Sequence, residues 1–354
     1  MIICLDLGAT QIKAAVVRKK EKVKFKAKNI KTQNELSKYQ VQRIYKEKTK
    51  KQAAALINQL TQLILQIYLA NKLNKEEKDK GKSGKVEELL IGIAAPGPLN
   101  AAQGILLEPP NLACKRLRLK QELESKVRKA LNKIQEKEKG EKGVKKKRKE
   151  IRVKVIVEND ANAAALAESF YWKKKNLICL TLGSGLGTGI VVEGKLLKGQ
   201  AYASEFGHST IQLNGLKDTC RNLGCIEQFV SVKGLNRLTK QYFGKPIDVK
   251  TLTDLAVHGK KAEKKKARKV FNLFAQWLGA ALVNAIHIFN PELIVLNGGL
   301  SKVAWLYLNK AIAYVKAHAF RCMLKNLQIK VSRLQEKAPL LAMAWLIENE
   351  GSKK

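Results

Sequence analysis

Residues 2–17, IICLDLGATQIKAAVV, and residues 176–195, NLICLTLGSGLGTGIVVEGK, follow the same pattern. In each stretch, two apolar segments flank a turn of glycine, small and hydroxyl residues, which predicts a β-hairpin. Glycine and alanine let the backbone approach closely, so successive N–H groups of such turns can hold a phosphate. A strand follows the glycines and no GK[ST] motif does, so neither turn is a P-loop. One hairpin in each half of the chain indicates an internal duplication.

Strand and helix patterns alternate through the rest of the chain. The β-branched and apolar runs predict further strands at about 22–30, 87–95, 153–158, 292–297 and 327–331. Apolar residues at helical spacing predict helices at about 42–73, 119–134, 161–172, within 232–289, from 302 onward and at 338–348. The alternation of the two kinds of element indicates an α/β protein.

The charge of the chain first suggests a polyanionic partner. Lysine and arginine outnumber aspartate and glutamate by 68 to 30, for a formal net charge of +38. Only 12 of the 68 are arginine, although recognition of phosphates and bases favours the guanidinium group. Many of the lysines fall in runs at 73–86, 135–150 and 259–269, which is typical of solvated surface. We therefore expect no specific nucleic-acid partner, and weak nonspecific polyanion binding stays open as an alternative.

Composition favours a globular protein of the cytoplasm. The hydrophobic fraction of 45% excludes a disordered chain. Six cysteines in 354 residues do not make a disulfide scaffold. Asp6 falls where a signal peptide would need its apolar centre, and polar residues interrupt the longest apolar stretch, 277–289, which is too short to span a bilayer. We expect no membrane association.

Eight motifs along the chain resemble the ROK family of sugar kinases and repressors, which belongs to the actin-like, ribonuclease-H-like ATPase superfamily. In the family's order they are DLGATQIK (6–13), IGIAAPGPLN (91–100), PPNL (109–112), ENDANAAALAE (158–168), LGSGLGTGIVVEGK (182–195), SEFGH (204–208), C-x4-C-x-E (220–227) and NPELIVLNGG (290–299).

The resemblance implies a two-lobed actin-like ATPase (ribonuclease H-like) fold of duplicated mixed-sheet α/β domains with a cleft between them. The expected smaller lobe is 1–157, with lysine-rich inserts near 73–86 and 135–150, completed by a C-terminal helix in 336–354. The expected larger lobe is 158–335, with a sugar-binding and zinc loop at 204–231. The resemblance also implies a homodimer.

Phosphoryl transfer to a sugar needs a carboxylate that can take the hydroxyl proton. Asp160 lies at the end of a predicted strand and just before a helix, where α/β proteins place ligand-facing groups. A helix N-cap is the alternative interpretation of this residue. The resemblance makes Asp160 the general base, and it implies further sugar contacts at Asn111, Asn159, Glu205, His208 and Glu227.

The resemblance places ATP on the two hairpin turns. It implies that Asp6 lies near the Mg²⁺ of the nucleotide and that Gly298 and Gly299 lie against the adenosine. The residues expected to hold the phosphates are Gly8, Thr10, Lys13, Gly183, Ser184, Gly185 and Gly187.

A structural zinc site is implied at the sugar loop, although the motif is incomplete. The family's site uses one His and three Cys in the pattern C-x-C-G-x-x-G-C. Here His208, Cys220 and Cys225 fall on three ligand positions, and Asp218 replaces the first Cys. Carboxylate oxygen is an acceptable zinc ligand, so a weaker site and a loop without metal both stay open. Two family glycines are also replaced, by Ser204 and Arg221.

These implications favour an ATP-dependent hexose kinase that phosphorylates the 6-hydroxyl, with glucose as the first candidate. A kinase for N-acetylglucosamine, N-acetylmannosamine or another hexose is the alternative. The family's repressors carry a helix-turn-helix domain ahead of the kinase-like part, and here the first hairpin begins at residue 2. We therefore expect an enzyme rather than a sugar-responsive regulator.

Overall fold

The computed structural model describes residues 1–20, 35–76, 87–109, 113–142 and 151–350. The strand predicted at 22–30 lies wholly outside these residues. Much of each of the two predicted inserts also lies outside them. The chain forms two compact units: Met1–Ala163 with Gln200–Tyr202 and Lys337–Lys354, and Ala164–Gly199 with Ala203–Glu336. The lobe limits expected at 157 and 335 stay a prediction.

The first unit is built on a six-stranded sheet in the order β3-β2-β1-β5-β9, with β4 also paired to β2. The strands β1, β5 and β9 are parallel, and β2 is antiparallel to β1. In chain order its elements are β1 (Ile2–Leu7), β2 (Gln11–Lys19), β3 (Tyr39–Val41), β4 (Tyr45–Lys48), α1 (Ala53–Glu76), β5 (Glu87–Ala95), β6 (Leu99–Asn100), β7 (Ile105–Leu107), β8 (Arg116–Leu117), α2 (Leu119–Lys142) and β9 (Ile151–Asn159).

The helix predicted from residue 42 is wrong over its first eleven residues. The chain forms the short strand β4 there, antiparallel to β2, and α1 begins only at Ala53. The side chains of β4 alternate between half-buried and exposed, which is the pattern of an edge strand rather than of a helix face. Backbone pairing with β2 therefore overrides the weak helical periodicity of this polar segment.

The second unit has a five-stranded sheet in the order β12-β11-β10-β13-β14. The helix predicted from 302 is a 3₁₀ helix at Gly299–Leu306, and α7 follows it. After α3 (Asp160–Trp172), in which the division between the units falls, its elements are β10 (Leu177–Leu182), β11 (Leu186–Val192), β12 (Lys195–Leu196), α4 (Val232–Phe243), α5 (Val249–His258), α6 (Lys261–Phe289), β13 (Leu293–Asn297), α7 (Leu308–His318), α8 (Arg321–Leu324) and β14 (Gln328–Val331).

The two sheets confirm the duplication predicted from the hairpins. In each, an antiparallel hairpin is followed by strands that run parallel to its first strand: β1 pairs with β5, and β10 pairs with β13. Both hairpin turns therefore lie at the carboxyl edge of their own sheet. Open α/β sheets bind ligands at this edge.

The last helix, α9 (Ala338–Asn349), belongs to the first unit and packs on β1 and β5. Its Leu340 and Met343 are fully buried. A Cβ atom on Gly92 of β5 would lie only 2.8 Å from the Cβ of Met343. The sequence must therefore keep a glycine in the middle of this strand so that α9 can approach the sheet.

Among the described residues, α1 and α6 are long and apolar enough to cross a membrane by length and hydropathy alone. The expectation from sequence that no segment reaches this length is thus wrong for two helices. However, half of Ala53–Lys72 and 56% of the α6 window are buried inside the protein. Core helices pass the same test, because one face of each is packed against its own unit.

Candidate active site

Three strands of the first unit end side by side, and two of the predicted site residues lie at the end of the last of them. The register pairs Asp6 of β1 with Ala94 of β5, and Ala94 with Glu158 of β9. Asn159 and Asp160 follow directly, at the same carboxyl edge as the first hairpin turn. Strands two apart in a sheet are about 10 Å apart. The sheet thus places Glu158 about 10 Å from Asp6, and the predicted general base Asp160 follows two residues after Glu158.

The first turn is closed by its own backbone and supported by the residues after β4. The Gly8 N–H donates to the Gln11 carbonyl oxygen at 3.1 Å. Thr49 supports the turn from outside, because its Oγ1 donates to the Gly8 carbonyl oxygen at 2.8 Å. Lys13 Nζ lies 2.9 Å from Asp6 Oδ2, so the carboxylate is held in place beside the turn. Thr10 is exposed at the turn.

Asn159 and Asp160 both accept backbone hydrogen bonds at the start of α3. The carboxamide oxygen of Asn159 accepts the backbone N–H groups of Ala161 and Asn162, both at 3.0 Å. This is the geometry of a helix cap, and it leaves the Asn159 NH₂ group to donate elsewhere. Asp160 Oδ1 also accepts the Ala161 N–H, at 2.8 Å. Asn159 therefore supplies most of the helix capping that the alternative interpretation assigned to Asp160.

The second turn, between β10 and β11, has the same position in the second unit. The Gly183 N–H donates to the Gly185 carbonyl oxygen at 2.9 Å, and Ser184 is exposed at the tip. Gly187 lies opposite Thr181, which in turn pairs with Asn297 at the end of β13. Gly298 and Gly299 follow Asn297, so the predicted phosphate and adenosine turns lie at one edge of one sheet.

Glu227 is buried and binds the second turn directly. Its Oε2 accepts the Leu186 N–H at 2.8 Å, and its Oε1 lies 2.9 Å from Lys233 Nζ. A Cβ atom on Gly185 would lie 2.2 Å from Glu227 Oε2. Only glycine fits at this position while the carboxylate stays where it is.

Glu205, His208 and Asp218 form a chain of polar contacts in the sugar loop. His208 Nδ1 lies 3.0 Å from Asp218 Oδ2, and its Nε2 lies 3.9 Å from Glu205 Oε2. Burial raises the pKa of the Glu205 carboxyl; His208 opposes this rise, and the Glu227 carboxylate adds to it. The charge of one predicted sugar-binding acid, Glu227, thus acts on another, Glu205. Carboxylate pairs of this kind suit the hydroxyls of a sugar, which can donate to both.

The four candidate zinc ligands converge. One ligand atom each from His208, Asp218, Cys220 and Cys225 lies within 4.8 Å of all the others. The Cys220 Sγ is 3.5 Å from the Cys225 Sγ and 3.7 Å from Asp218 Oδ2. Ligand atoms about 2.0–2.3 Å from one zinc ion must approach each other this closely. The donor set therefore fits a tetrahedral zinc ion.

The charge state of the cluster differs between its members. Burial raises the pKa of Asp218, but hydrogen bonds from the Thr219 N–H and from neighbouring side chains outweigh burial and lower it to about 2. The pKa of Cys225 is raised to about 12 by burial and by the nearby Cys220 and Asp218. The thiol thus needs a cation to become a thiolate, which is what zinc supplies to cysteine ligands.

Both departures from the family's glycines in this loop fall at unusual backbone angles. Ser204 has φ 75° and Arg221 has φ 76°. Residues with a Cβ atom are disfavoured in this left-handed region, and glycine is not. Glycine at these two positions, as in the family motif, would suit the backbone, whereas Ser204 and Arg221 adopt it at a cost in strain.

Asn111 of the PPNL motif lies outside the described residues. Among those described, the structure adds three residues that the sequence did not single out: Thr49 at the first turn, Lys233 beside Glu227, and Glu168. Glu168 is fully buried, accepts Trp172 Nε1–H at 2.9 Å and also bonds the Ser332 hydroxyl. Burial raises the pKa of its carboxyl, and these two hydrogen bonds oppose the rise. Only its place in ENDANAAALAE could have pointed to it.

Duplicated mixed sheets, each with a glycine-rich hairpin turn at its carboxyl edge, define the two-lobed actin-like fold of sugar kinases and their related regulators. The chain belongs to the ROK family, whose model matches residues 2–350. This confirms the family and the fold class predicted from the eight motifs.

Individual relatives include both enzymes and regulators. A glucokinase of Halalkalibacterium halodurans is 28% identical over 299 residues, which cover 80% of this chain and 82% of that one. A xylose repressor of Caldicellulosiruptor bescii is 27% identical over 270 residues, 73% of this chain; the match spans only 62% of the repressor's length. A ROK family glucokinase from Streptomyces griseus, solved with glucose and AMPPNP, has a TM-score of 0.69 at 24% identity and 98% coverage of both chains.

Proposed function

We propose that this protein transfers the γ-phosphoryl group of ATP to the 6-hydroxyl of a hexose, with glucose as the preferred acceptor. The observation that carries the proposal is the row of residues at the carboxyl edge of the first sheet. Asp6 lies beside the predicted phosphate turn, two strands away from the strand that ends at Asn159 and leads into Asp160. A kinase needs a phosphate and metal site near a carboxylate that can accept a hydroxyl proton.

Asp160 acts as the general base in this proposal. Its carboxylate takes the proton of the 6-hydroxyl as the sugar oxygen attacks the γ-phosphorus. The bond between the γ-phosphorus and its bridging oxygen breaks, so the products are hexose 6-phosphate and ADP. Asp160 is the first residue of α3, and a helix N-terminus interacts favourably with negative charge.

The other predicted residues position the two substrates. Asn159 donates to a sugar hydroxyl with the NH₂ group that capping leaves over, and Glu205, His208, Glu227 and Asn111 hold further hydroxyls. In this proposal Asp6 serves the Mg²⁺ that ATP brings, and the backbone N–H groups of each turn are donors for phosphate oxygens. Thr10, Lys13 and Ser184 add hydroxyl and ammonium donors.

The glucokinase relatives support glucose as the acceptor, and kinases for N-acetylglucosamine, N-acetylmannosamine or another hexose are the alternative. The xylose repressor relative supports a second candidate, a sugar-responsive regulator without phosphoryl transfer. The Asp6–Asp160 arrangement favours the kinase, because a regulator needs to bind sugar but has no need for a base.

A coupled assay of ATP consumption with a panel of hexoses and N-acetylhexosamines tests this function. We expect glucose to give the highest kcat/KM and the product to carry its phosphate on the 6-oxygen. Sugar binding without ATP consumption for every member of the panel would contradict the kinase and favour the regulator.

We further propose that His208, Asp218, Cys220 and Cys225 hold one structural zinc ion. Bound zinc would cross-link the loop that carries Glu205 and Glu227 and so would fix the sugar contacts. Because thiolate is a softer and stronger zinc ligand than carboxylate, the present donor set should bind more weakly than a three-thiolate site.

Replacing Asp218 with cysteine should therefore strengthen zinc binding. We expect Asp218→Cys to retain zinc at chelator concentrations that strip the wild type, measured as zinc per chain by mass spectrometry of the metal. Cys322→Ser, which removes an exposed cysteine elsewhere, is the control and should match the wild type. A wild-type protein without zinc at any chelator concentration would show that the loop has dispensed with the metal.

The remaining proposals concern the setting of the enzyme. We propose that it acts in the cytoplasm as a homodimer, with hexose and ATP as its partners, without a specific nucleic acid and without a membrane. The six cysteines without a disulfide partner suit a reducing compartment, and the low share of arginine among the 68 basic residues weighs against a specific nucleic acid. The homodimer rests on the family resemblance alone.

A further inference from the structure

The carboxylate of Glu227 is held from two sides. Its Oε2 accepts the Leu186 N–H at 2.8 Å, and its Oε1 pairs with Lys233 Nζ at 2.9 Å. The Glu227 side chain is 11% exposed, whereas that of Lys233 is 49% exposed. Lys233 thus reaches from the surface to a carboxylate that is nearly buried.

Residues 227–233 form hydrogen bonds with both ends of the second phosphate turn. The Val232 N–H donates to the Gly183 carbonyl oxygen at 2.9 Å, while Glu227 accepts from Leu186 on the other side of the turn. The Ser231 hydroxyl donates to the Glu227 carbonyl oxygen at 2.7 Å and stiffens the segment between these two contacts. Residues 227–233 therefore bracket residues 183–186.

Glu227 is thereby both a predicted sugar ligand and a support of the phosphate turn. A nearly buried carboxylate is costly unless a cation and hydrogen bonds compensate its charge. Among the described residues, Lys233 is the cation within ion-pair distance of Glu227. Without it, the carboxylate would be drawn toward water, and both the Leu186 contact and the sugar contact would loosen together.

We propose that Lys233 is a positioning residue that keeps Glu227 bound to the second phosphate turn. It thereby fixes the position of the sugar-binding loop relative to the phosphate-binding turn. This inference rests on the proposed function for its effect on the sugar. Its structural part, the hold of Lys233 on the Leu186 contact, does not.

The deciding measurement is hydrogen exchange at the Leu186 amide, followed by mass spectrometry of peptides that cover residues 183–187. We expect Lys233→Met to speed exchange there by about fivefold, the upper end for a half-exposed ion pair. Lys233→Arg should restore slow exchange, because it keeps the charge. The matched control is Lys240→Met, an exposed lysine two turns further along α4, which should leave the exchange unchanged.

The second measurement is kinetic. We expect Lys233→Met to raise the KM for the hexose by about fivefold with kcat within about twofold of the wild type, and we expect no additional effect when Glu227 is already replaced by Gln. Equal exchange at Leu186 in the two methionine variants, or equal hexose KM values in them, overturns the proposal. If the wild type phosphorylates no hexose, the proposed function fails, and the exchange experiment still decides the role of Lys233.

Discussion

Asp160→Asn is expected to reduce kcat for hexose phosphorylation by about 10²–10⁴-fold, the usual contribution of a general base. The asparagine oxygen can still accept the Ala161 N–H that Asp160 Oδ1 binds at 2.8 Å, and Asn159 still caps the helix. The fold and the binding of sugar should therefore survive, because the substitution removes only the ability to take a proton. Steady-state kinetics with calorimetric measurement of the glucose Kd would show a fall in kcat with a nearly unchanged Kd.

Asp254→Asn is the matched control, because it makes the same change at an exposed position on α5. It should leave kcat unchanged. If Asp160→Asn turns over as fast as this control, Asp160 is not the base. If Asp160 serves α3 only as a cap, the asparagine keeps that role, and both kcat and Tm should match those of the control.

Gly185→Ala is expected to damage both stability and activity. The added methyl group would lie 2.2 Å from Glu227 Oε2, so the carboxylate must leave the Leu186 N–H. A buried donor that loses its partner costs about 1–3 kcal/mol, and the Tm should fall accordingly. Since Glu227 is also a predicted sugar ligand, the same displacement should lower kcat/KM for the hexose by about tenfold or more, as expected when about 1.4 kcal/mol or more of binding energy is lost.

Gly183→Ala is the control for Gly185→Ala. It adds an alanine to the same turn without a close contact to Glu227. A Cβ atom on Gly183 meets nothing within 4 Å, so its Tm should stay close to that of the wild type. Equal Tm values for the two alanine variants would contradict the role of Glu227 as a support of the turn.

Much of the fold could be predicted because its signals are local. The hairpins around 8–10 and 183–185 follow from glycine between apolar strands, and their repetition predicted the duplicated sheets. Residues 42–52 could not be assigned correctly, because β4 is polar and exists through its pairing with β2. Its partner lies some thirty residues away, and no pattern within the segment itself indicates that pairing.

The candidate site shows the same limit. Motifs identified Asp6, Asp160 and Glu227, since each lies in a distinctive run of small and polar residues. They could not show that Glu227 binds the Leu186 amide, because that contact joins residues 41 positions apart. The role of Lys233 could not be predicted from the sequence either, because it is one of 68 basic residues and only its distance to Glu227 distinguishes it.

The position of α9 has a consequence for the making of the protein. Residues 338–349 are translated after the whole of residues 164–336, yet they cover β1 and β5, which are translated before that stretch. Domains generally fold as units during synthesis. Here residues 164–336 are synthesised before α9, so the first unit lacks this helix until they have emerged. An apolar face of the first unit's sheet therefore stays uncovered until α9 has emerged from the ribosome, and chaperones can bind that face during this interval.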